Sequence, residues 1–174
     1  METAAFCIRE LREADAPALA YLHVASWRQT YADQLPAGFF TPRFLDQRKA
    51  MWTRICRDRP RGVTVAVAVA VGGVGGSAAA EGRIIGFAAA GGTAEETAPR
   101  PTELNMLYVE QASHGNGAGQ ALLDTVLPQR AAFLWVARDN PRAQAFYRRN
   151  GFQADGTELS DTPVPGLTSV RMLR

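Results

Sequence analysis

Residues 107–124, LYVEQASHGNGAGQALLD, decide the fold because they join a strand to a helix through a glycine-rich turn. Apolar residues dominate before the turn, and QALLDTVL after it has helical periodicity. Between them, 114–119 is His-Gly-Asn-Gly-Ala-Gly. Glycines permit positive φ and close approach of a ligand, so successive N–H groups can line one concavity at the positive end of the helix. The turn is predicted to be an anion site suited to a pyrophosphate.

A dinucleotide-binding turn is the alternative, and it would make the chain a nucleotide-dependent α/β enzyme such as an oxidoreductase. That fingerprint places its third glycine at position 120, where Gln120 stands, and an acidic residue at the end of the next strand, which has none. Both departures weaken the dinucleotide-binding interpretation. A merely tight turn needs one or two glycines, whereas three at alternate positions exceed what packing requires.

The segments around this turn alternate between strand and helix. ELNMLYV (103–109) and AAFLWVA (131–137) read as strands, NPRAQAFYRRN (140–150) reads as a helix, and a last strand is expected near 169–173. The strands on either side of the first helix should be parallel and joined by a right-handed crossover.

The N-terminal half adds two helical regions and further strands. A strand at 6–9 precedes a helix that Asp15 can cap, with Pro17 in its early turn. A second helical region runs through Tyr31 and Phe39 to about Cys56, broken near 36–38 and again at Pro42. TVAVAVAV (64–71) and a strand starting at Arg83 should form an antiparallel hairpin, whose Gly/Ala-rich tip carries no chemistry. We expect an α/β fold: one domain over 1–174, with a mixed central β-sheet that is antiparallel in its N-terminal part, has a parallel central pair, and is flanked by helices.

Composition limits the classes of partner. The chain has 174 residues, 47% of them hydrophobic and 21% charged, with a net charge of +2. These values predict one compact core and give no reason to expect a nucleic-acid surface. The tightest basic group is a solvated helix end or, as the alternative, a phosphate or RNA contact; it comprises Arg54, Arg57, Arg59 and Arg61.

Compartment and metal content are also predicted. No apolar run is long enough to cross a membrane, and the N-terminal residues lack a secretion signal, so a cytoplasmic location is expected. Cys7 and Cys56 are far apart and match no metal spacing, and with two histidines a zinc site is not expected.

Two ordered motifs resemble the GNAT acetyltransferases. Residues 107–124 resemble that family's acetyl-CoA-binding strand, loop and helix, whose loop is Gln/Arg-x-x-Gly-x-Gly/Ala; Gly117 and Gly119 match. NPRAQAFYRRNGF (140–152) resembles its Asn-x-x-Ala-x-x-Phe-Tyr helix, and HVASWRQTY (23–31) its first helix. His114 departs from the usual Gln or Arg, and an imidazole should hold phosphate less well, while the backbone cradle is kept. The resemblance covers essentially the whole chain and implies an N-acetyltransferase with acetyl-CoA as donor.

The resemblance also implies a cofactor-binding set. In that family backbone N–H groups, here near Leu107 and Val109, face the cofactor across a splayed gap between two parallel strands. Asn140 should bond the pantetheine amides as well as cap its helix. The implied set is Leu107, Tyr108, Val109, His114, Gly115, Asn116, Gly117, Ala118, Gly119, Gln120, Asn140, Ala143, Phe146 and Tyr147.

Acetyl transfer to an amine needs an acid for the departing thiolate and a base for the amine. By resemblance Tyr147 is the acid, the alternative being a buried aromatic with a hydrogen-bonded hydroxyl. Glu103 is the candidate base, directly or through water, the alternative being a solvated strand-end carboxylate. Strand alternation places Glu103, Asn105 and Leu107 on one face. His23 is a weaker candidate for the base.

The acceptor side is less defined by the sequence. Trp27 and Tyr31 can share a helix face and, by resemblance, line the acceptor pocket; a core aromatic pair is the alternative. Tyr108 and Glu110 can also border the pocket. The predicted acceptor is a primary amine of a small molecule or peptide, attacking directly in a ternary complex without a metal. The rival function is a non-catalytic acetyl-CoA-binding regulatory module, and a homodimer is compatible with either.

Overall fold

A computed structural model describes residues 6–71, 82–160, 164 and 166–174, so most of the predicted hairpin tip at 71–82 lies outside the described residues. The helices are α1 (Ala16–Tyr31), α2 (Pro42–Asp58), α3 (Ala118–Val126) and α4 (Pro141–Arg149). The strands are β1 (Phe6–Glu10), β2 (Val63–Ala70), β3 (Ile84–Gly92), β4 (Thr102–Val109), β5 (Phe133–Ala137), β6 (Gln153–Leu159) and β7 (Ser169–Leu173).

Within the described part of the chain, the strands form one mixed sheet in the order β1-β2-β3-β4-β5-β7-β6. Strands β1 to β4 are antiparallel, and β4 and β5 are parallel, as predicted. The parallel pair is registered at one position in the described chain, Glu103 opposite Phe133. Towards their carboxyl ends, β4 and β5 pair at no further described position. A gap therefore opens in the sheet between them.

Helices cover both faces of the sheet, and each face has its own core. On one face α3 and α4 pack on β-sheet residues that include Leu104, Leu107 and Val109. On the other face α1 and α2 pack on residues that include Met106 and Tyr108. Fully buried large side chains such as Trp52, Phe87, Phe133 and Phe152 anchor these layers. Each contributes on the order of 1.5–3 kcal/mol from burial.

A β-bulge in β4 corrects the predicted strand faces. Ala89 lies opposite Met106 but Ala90 lies opposite Leu104, so Asn105 is an extra residue. An extra residue reverses the alternation of side chains beyond it. Glu103 therefore lies on the α1/α2 face together with Met106 and Tyr108, and its predicted grouping with Leu107 is wrong.

The start of α1 differs from the prediction in its hydrogen bonds. Asp15 stands at the N-cap position, but its side chain makes no capping bond to the helix. Its carboxylate instead accepts from the Arg9 guanidinium, at 2.7 and 2.8 Å, and from the Arg12 N–H at 2.8 Å. Bonds to residues that precede Asp15 in the chain have taken the place of the helix cap. The second helix begins later than predicted, at Pro42, and Thr41 caps it by accepting from the Phe44 N–H.

Strand β6 is an element that the sequence pattern did not predict. Its sequence, QADGTEL, has no apolar alternation, and almost all of it is exposed. It lies at the sheet edge and pairs with β7, the last strand, whose position near 169–173 is confirmed. Among the described residues, no helix is both long and apolar enough to span a membrane.

Candidate active site

A cleft of about 660 Å³ lies at the gap between β4 and β5. Residues of both sheet faces line it, because the gap passes through the sheet. From the α3/α4 face come Leu107, Val109, the 114–120 turn and α4, which we call the donor side. From the other face come the end of α1 and the side chains of Met106 and Tyr108, which we call the acceptor side.

The glycine-rich turn forms the open N-terminus of α3. Gly115 and Gly117 have φ of 84° and 94°, in the left-handed region that favours glycine. Asn116 Oδ1 accepts from the Ala118 N–H at 2.9 Å, which fixes the turn. A Cβ on Gly117 would approach no protein atom closer than 3.9 Å. The turn thus exposes backbone to the cleft, as a cradle for an anion requires.

His114 is tied to the strand that precedes it. Its Nε2 lies 2.9 Å from the carbonyl oxygen of Val109, so Nε2 carries the proton and donates. This bond holds the turn against the end of β4. In this orientation the exposed imidazole lies at the edge of the cleft and contacts the backbone of β4.

Tyr147 projects from α4 into the cleft and is only 8% exposed. Burial and the nearby Tyr31 raise the pKa of Tyr147 above its ordinary value. Burial and Tyr31 likewise raise the pKa of Tyr108. Three tyrosines thus converge on the gap, and Tyr147 keeps its proton throughout the neutral pH range.

Asn140 joins the two sides of the cleft. Its Oδ1 accepts from the Ala143 N–H at 3.0 Å and caps α4, as predicted. Its side chain is also hydrogen-bonded to Tyr31, the last residue of α1, which partly offsets the rise that burial gives to the pKa of Tyr31. The amide therefore fixes the end of α1 beside the start of α4.

Glu103 is half-buried on the α1/α2 face and does not itself line the cleft. Burial raises the pKa of Glu103, a hydrogen bond with Thr93 opposes this, and the charge of Glu95 raises it further. Glu95 in turn accepts from Trp135 Nε1 at 3.4 Å and pairs with Arg171 at 3.3 Å. Trp135 lines the cleft, so Glu95 contacts the cleft wall, whereas Glu103 is coupled to it through the charge of Glu95.

The aromatic pair at the end of α1 divides between wall and interior. Tyr31 lines the cleft, whereas Trp27 packs behind it, with its Nε1–H donating to the Tyr108 hydroxyl at 2.9 Å. Trp27 also stacks against Phe39. Glu110 is held away from the cleft by Arg83 and Ser113.

His23 cannot serve as the base. It is 2% exposed, and its Nδ1 accepts from Trp52 Nε1 at 3.3 Å. The neutral ring therefore carries its proton on Nε2, which has no hydrogen-bond partner. Burial and the charge of Arg48 lower the pKa of His23 from 6.5 to about 3. Neither nitrogen offers a free lone pair to an amine.

This burial predicts an acid-sensitive fold. The unfolded chain takes up a proton at His23 near pH 6.5, whereas the folded chain resists it down to about pH 3. Stability is therefore complete above pH 6.5 and falls as the pH is lowered, with a slope approaching ~1.4 kcal/mol per pH unit. Urea unfolding at pH 7 and pH 5 measures this loss. It should shrink in His23→Gln and persist in His114→Gln, the matched control; equal losses in both variants would contradict this origin.

Most predicted cofactor residues line the cleft; Asn116 and the fully buried Ala118 do not. Sequence reasoning missed several residues of the wall: Ser26, Gln29, Thr30, Leu104, Asn105, Met106, Gln111, Ser113, Trp135, Val136, Asp139, Pro141, Arg142 and Arg149. Arg142 and Arg149 are seven residues apart, which places both on the same face of α4, so helical spacing was a usable signal for them.

Comparisons with known proteins agree with this geometry. A family model described as an acetyltransferase (GNAT) domain matches residues 65–154. The uncharacterized N-acetyltransferase Rv2669 of Mycobacterium tuberculosis is 30% identical over 162 residues, covering 90% of this chain and 84% of its own. YuaI of Bacillus subtilis, also an N-acetyltransferase by name, is 26% identical, covering 95% and 96%.

Solved structures show the same fold. PaiA N-acetyltransferase from Thermoplasma acidophilum, in complex with coenzyme A, has a TM-score of 0.61 at 20% identity, covering 96% of this chain and 98% of its own. An acetyltransferase from Corynebacterium glutamicum has a TM-score of 0.67 at 19% identity, covering 97% and 95%. The chain belongs to the GNAT acetyltransferase family. It is an acetyltransferase, and acetyl-CoA is its acetyl donor.

Proposed function

We propose that the enzyme transfers the acetyl group directly to a primary amine of a small molecule or peptide, with both substrates bound at once. The observation that carries this is the cleft itself, which passes through the sheet so that donor and acceptor approach one gap from opposite faces. Neither Cys7 nor Cys56 lines the cleft, and burial raises the pKa of Cys56 to about 11, so neither thiol is suited to an acyl-enzyme step.

The donor side fits acetyl-CoA. The exposed backbone of Gly115 and Gly117 and the N-terminus of α3 suit the pyrophosphate, and Arg142 and Arg149 add positive charge on α4. When bound, acetyl-CoA supplies an activated thioester carbonyl and a thiolate leaving group.

Backbone N–H groups of β4 are oriented for the carbonyl and the pantetheine. The Glu110 N–H donates to the Ile85 carbonyl of β3. Successive N–H groups of a strand point to opposite edges, so those of Val109 and Leu107 point into the gap. There they stabilise the carbonyl oxygen as charge develops.

Tyr147 and Glu103 complete the proton transfers in this proposal. The Tyr147 hydroxyl lies in the cleft and gives its proton to the departing sulfur. Glu103 receives the amine proton through water, because its side chain lies behind the wall rather than on it. Its raised pKa makes it a better base than a solvated carboxylate.

Glu103→Gln should remove one limb of the pH profile. The base must be ionised, so kcat rises with pH through the pKa of Glu103, which lies above 4.5. The variant should flatten this rise and lower kcat by about tenfold or more. Steady-state thiol release between pH 5 and pH 9 measures it.

Two further variants make this result specific. Glu95→Gln removes the like charge near Glu103 and should move the rise in kcat to lower pH. Glu96→Gln, at an exposed neighbouring position, should leave the profile unchanged. A native profile in Glu103→Gln would move the base elsewhere.

The proposal as a whole is tested by calorimetry with acetyl-CoA, followed by thiol release across amine classes. Binding followed by amine-dependent release supports acetyl transfer to an amine. Binding without release from any amine would favour the regulatory module. Absence of binding would contradict the donor-side assignment.

A further inference from the structure

The acceptor side of the cleft has uncharged walls. The last turns of α1 contribute Ser26, Gln29, Thr30 and Tyr31, and Tyr108 lies opposite them. The charged residues that line the cleft all belong to α4 and the residues before it: Asp139, Arg142 and Arg149. Asp139 is 67% exposed and lies 3.9 Å from Arg138, so solvent screens its charge.

A cation lies behind the acceptor wall. The Arg48 guanidinium lies over the rings of Phe44, at 4.9 Å, and Trp27, at 5.9 Å. Its Nε is buried without a hydrogen-bond partner, its Nη1 lies 3.7 Å from the Met51 sulfur, and no carboxylate among the described residues pairs with it. Trp27 is hydrogen-bonded to Tyr108, which lines the cleft. Only the Trp27 side chain therefore lies between the Arg48 charge and the cleft wall.

Carboxylates on the same face do not compensate for Arg48. Glu95 is already paired with Arg171, and Glu103 is half-buried without lining the cleft. A second ammonium group on an acceptor would therefore find no carboxylate on this wall and would be repelled by the charge of Arg48 behind it. Such uncompensated charge is costly in a protein cleft.

The acceptor wall does offer hydrogen bonds. The Ser26 side chain is on the wall, its residue is 5% exposed, and its Oγ has no partner. Gln29 and Thr30 add an amide and a hydroxyl. Buried polar atoms without a partner are uncommon, and a ligand group is one way to satisfy them.

Resting on the proposed function, we infer that the acceptor is a monoamine whose other polar groups are uncharged hydroxyls or amides, and that the enzyme discriminates against polyamines. The acceptor wall has a second effect. Because it carries no carboxylate of its own, it does not stabilise the ammonium form of a bound amine, and the neutral form is the one that attacks.

Two matched pairs of acceptors test this: aminopentanol against cadaverine, and the amide of alanyl-6-hydroxynorleucine against alanyl-lysinamide. Within each pair a hydroxyl replaces a second ammonium group. We expect kcat/KM for thiol release to favour the hydroxyl member by about tenfold or more. Equal or better use of the diamines would overturn the inference and leave the proposed function intact. No release with any of the four, despite acetyl-CoA binding, would count against the proposed function and the inference together.

A charge introduced on the wall provides the complementary test. Gln29→Glu adds a carboxylate at an exposed cleft position and should raise kcat/KM for cadaverine by about tenfold, with less gain at high salt. Aminopentanol should change little. Gln47→Glu, on the exposed surface of α2, is the matched control and should alter neither. An unchanged preference in Gln29→Glu would show that Gln29 does not face the bound acceptor and would contradict the assigned wall.

Discussion

Tyr147→Phe is expected to lower kcat by about 10²-fold while leaving the Kd for acetyl-CoA within about twofold of its native value. The substitution removes one hydroxyl and keeps the ring that packs against Phe146 and Phe152. Stability should therefore be preserved, and the loss should appear in the chemical step. Thiol release at saturating substrates measures kcat, and calorimetry with acetyl-CoA measures Kd.

The pH profile distinguishes a proton donor from a packing residue. Because the pKa of Tyr147 is raised above 10.0, the native enzyme should show no fall in kcat from loss of this proton below about pH 10. Tyr21→Phe, at an exposed position on α1, is the matched control and should retain native turnover. Native turnover in Tyr147→Phe would remove this residue as the acid and leave the backbone groups of the gap as the main catalytic contribution.

Local patterns predicted the parts of the fold that depend on local chemistry. The alternating valines of β2 and the glycines before α3 each point to one structure, and the structure confirms both. Strand β6 was missed because its residues are polar and exposed, so its conformation comes from pairing with β7 rather than from its own pattern. The capping bond expected of Asp15 was lost to Arg9, because the end of β1 brings that guanidinium to the carboxylate and the cap pattern does not show this competition.

In the candidate site, too, local sequence predicted some features and not others. The residues of the turn and of α4 follow from short motifs whose spacing fixes which side chains meet. The bulge at Asn105 does not, because nothing in the sequence of β4 marks an extra residue, which appears only against the register of β3. Helical spacing predicted that Trp27 and Tyr31 share a helix face. Spacing does not show how far a side chain lies from the cleft, and of the two only Tyr31 lines it.

Gly117→Val should weaken acetyl-CoA binding by about tenfold or more, because a branched side chain fills the cradle where the backbone must approach a phosphate. At φ of 94° any L side chain is also strained, by roughly 1–2 kcal/mol. A Cβ there meets only the Phe6 ring, at 3.9 Å. A loss of affinity beyond the effect of strain therefore reports an obstructed cofactor path.

Gly62→Val separates these two effects. Gly62 has a φ of 76°, a Cβ there meets no atom within 4 Å, and the residue does not line the cleft. Both variants should lower the melting temperature to a similar extent, since both place a branched side chain in the left-handed region. Calorimetry should then find a raised Kd for acetyl-CoA in Gly117→Val alone. A native Kd in Gly117→Val would mean that the pyrophosphate lies away from this turn, and equal losses of affinity in both variants would assign the effect to stability rather than to the cradle.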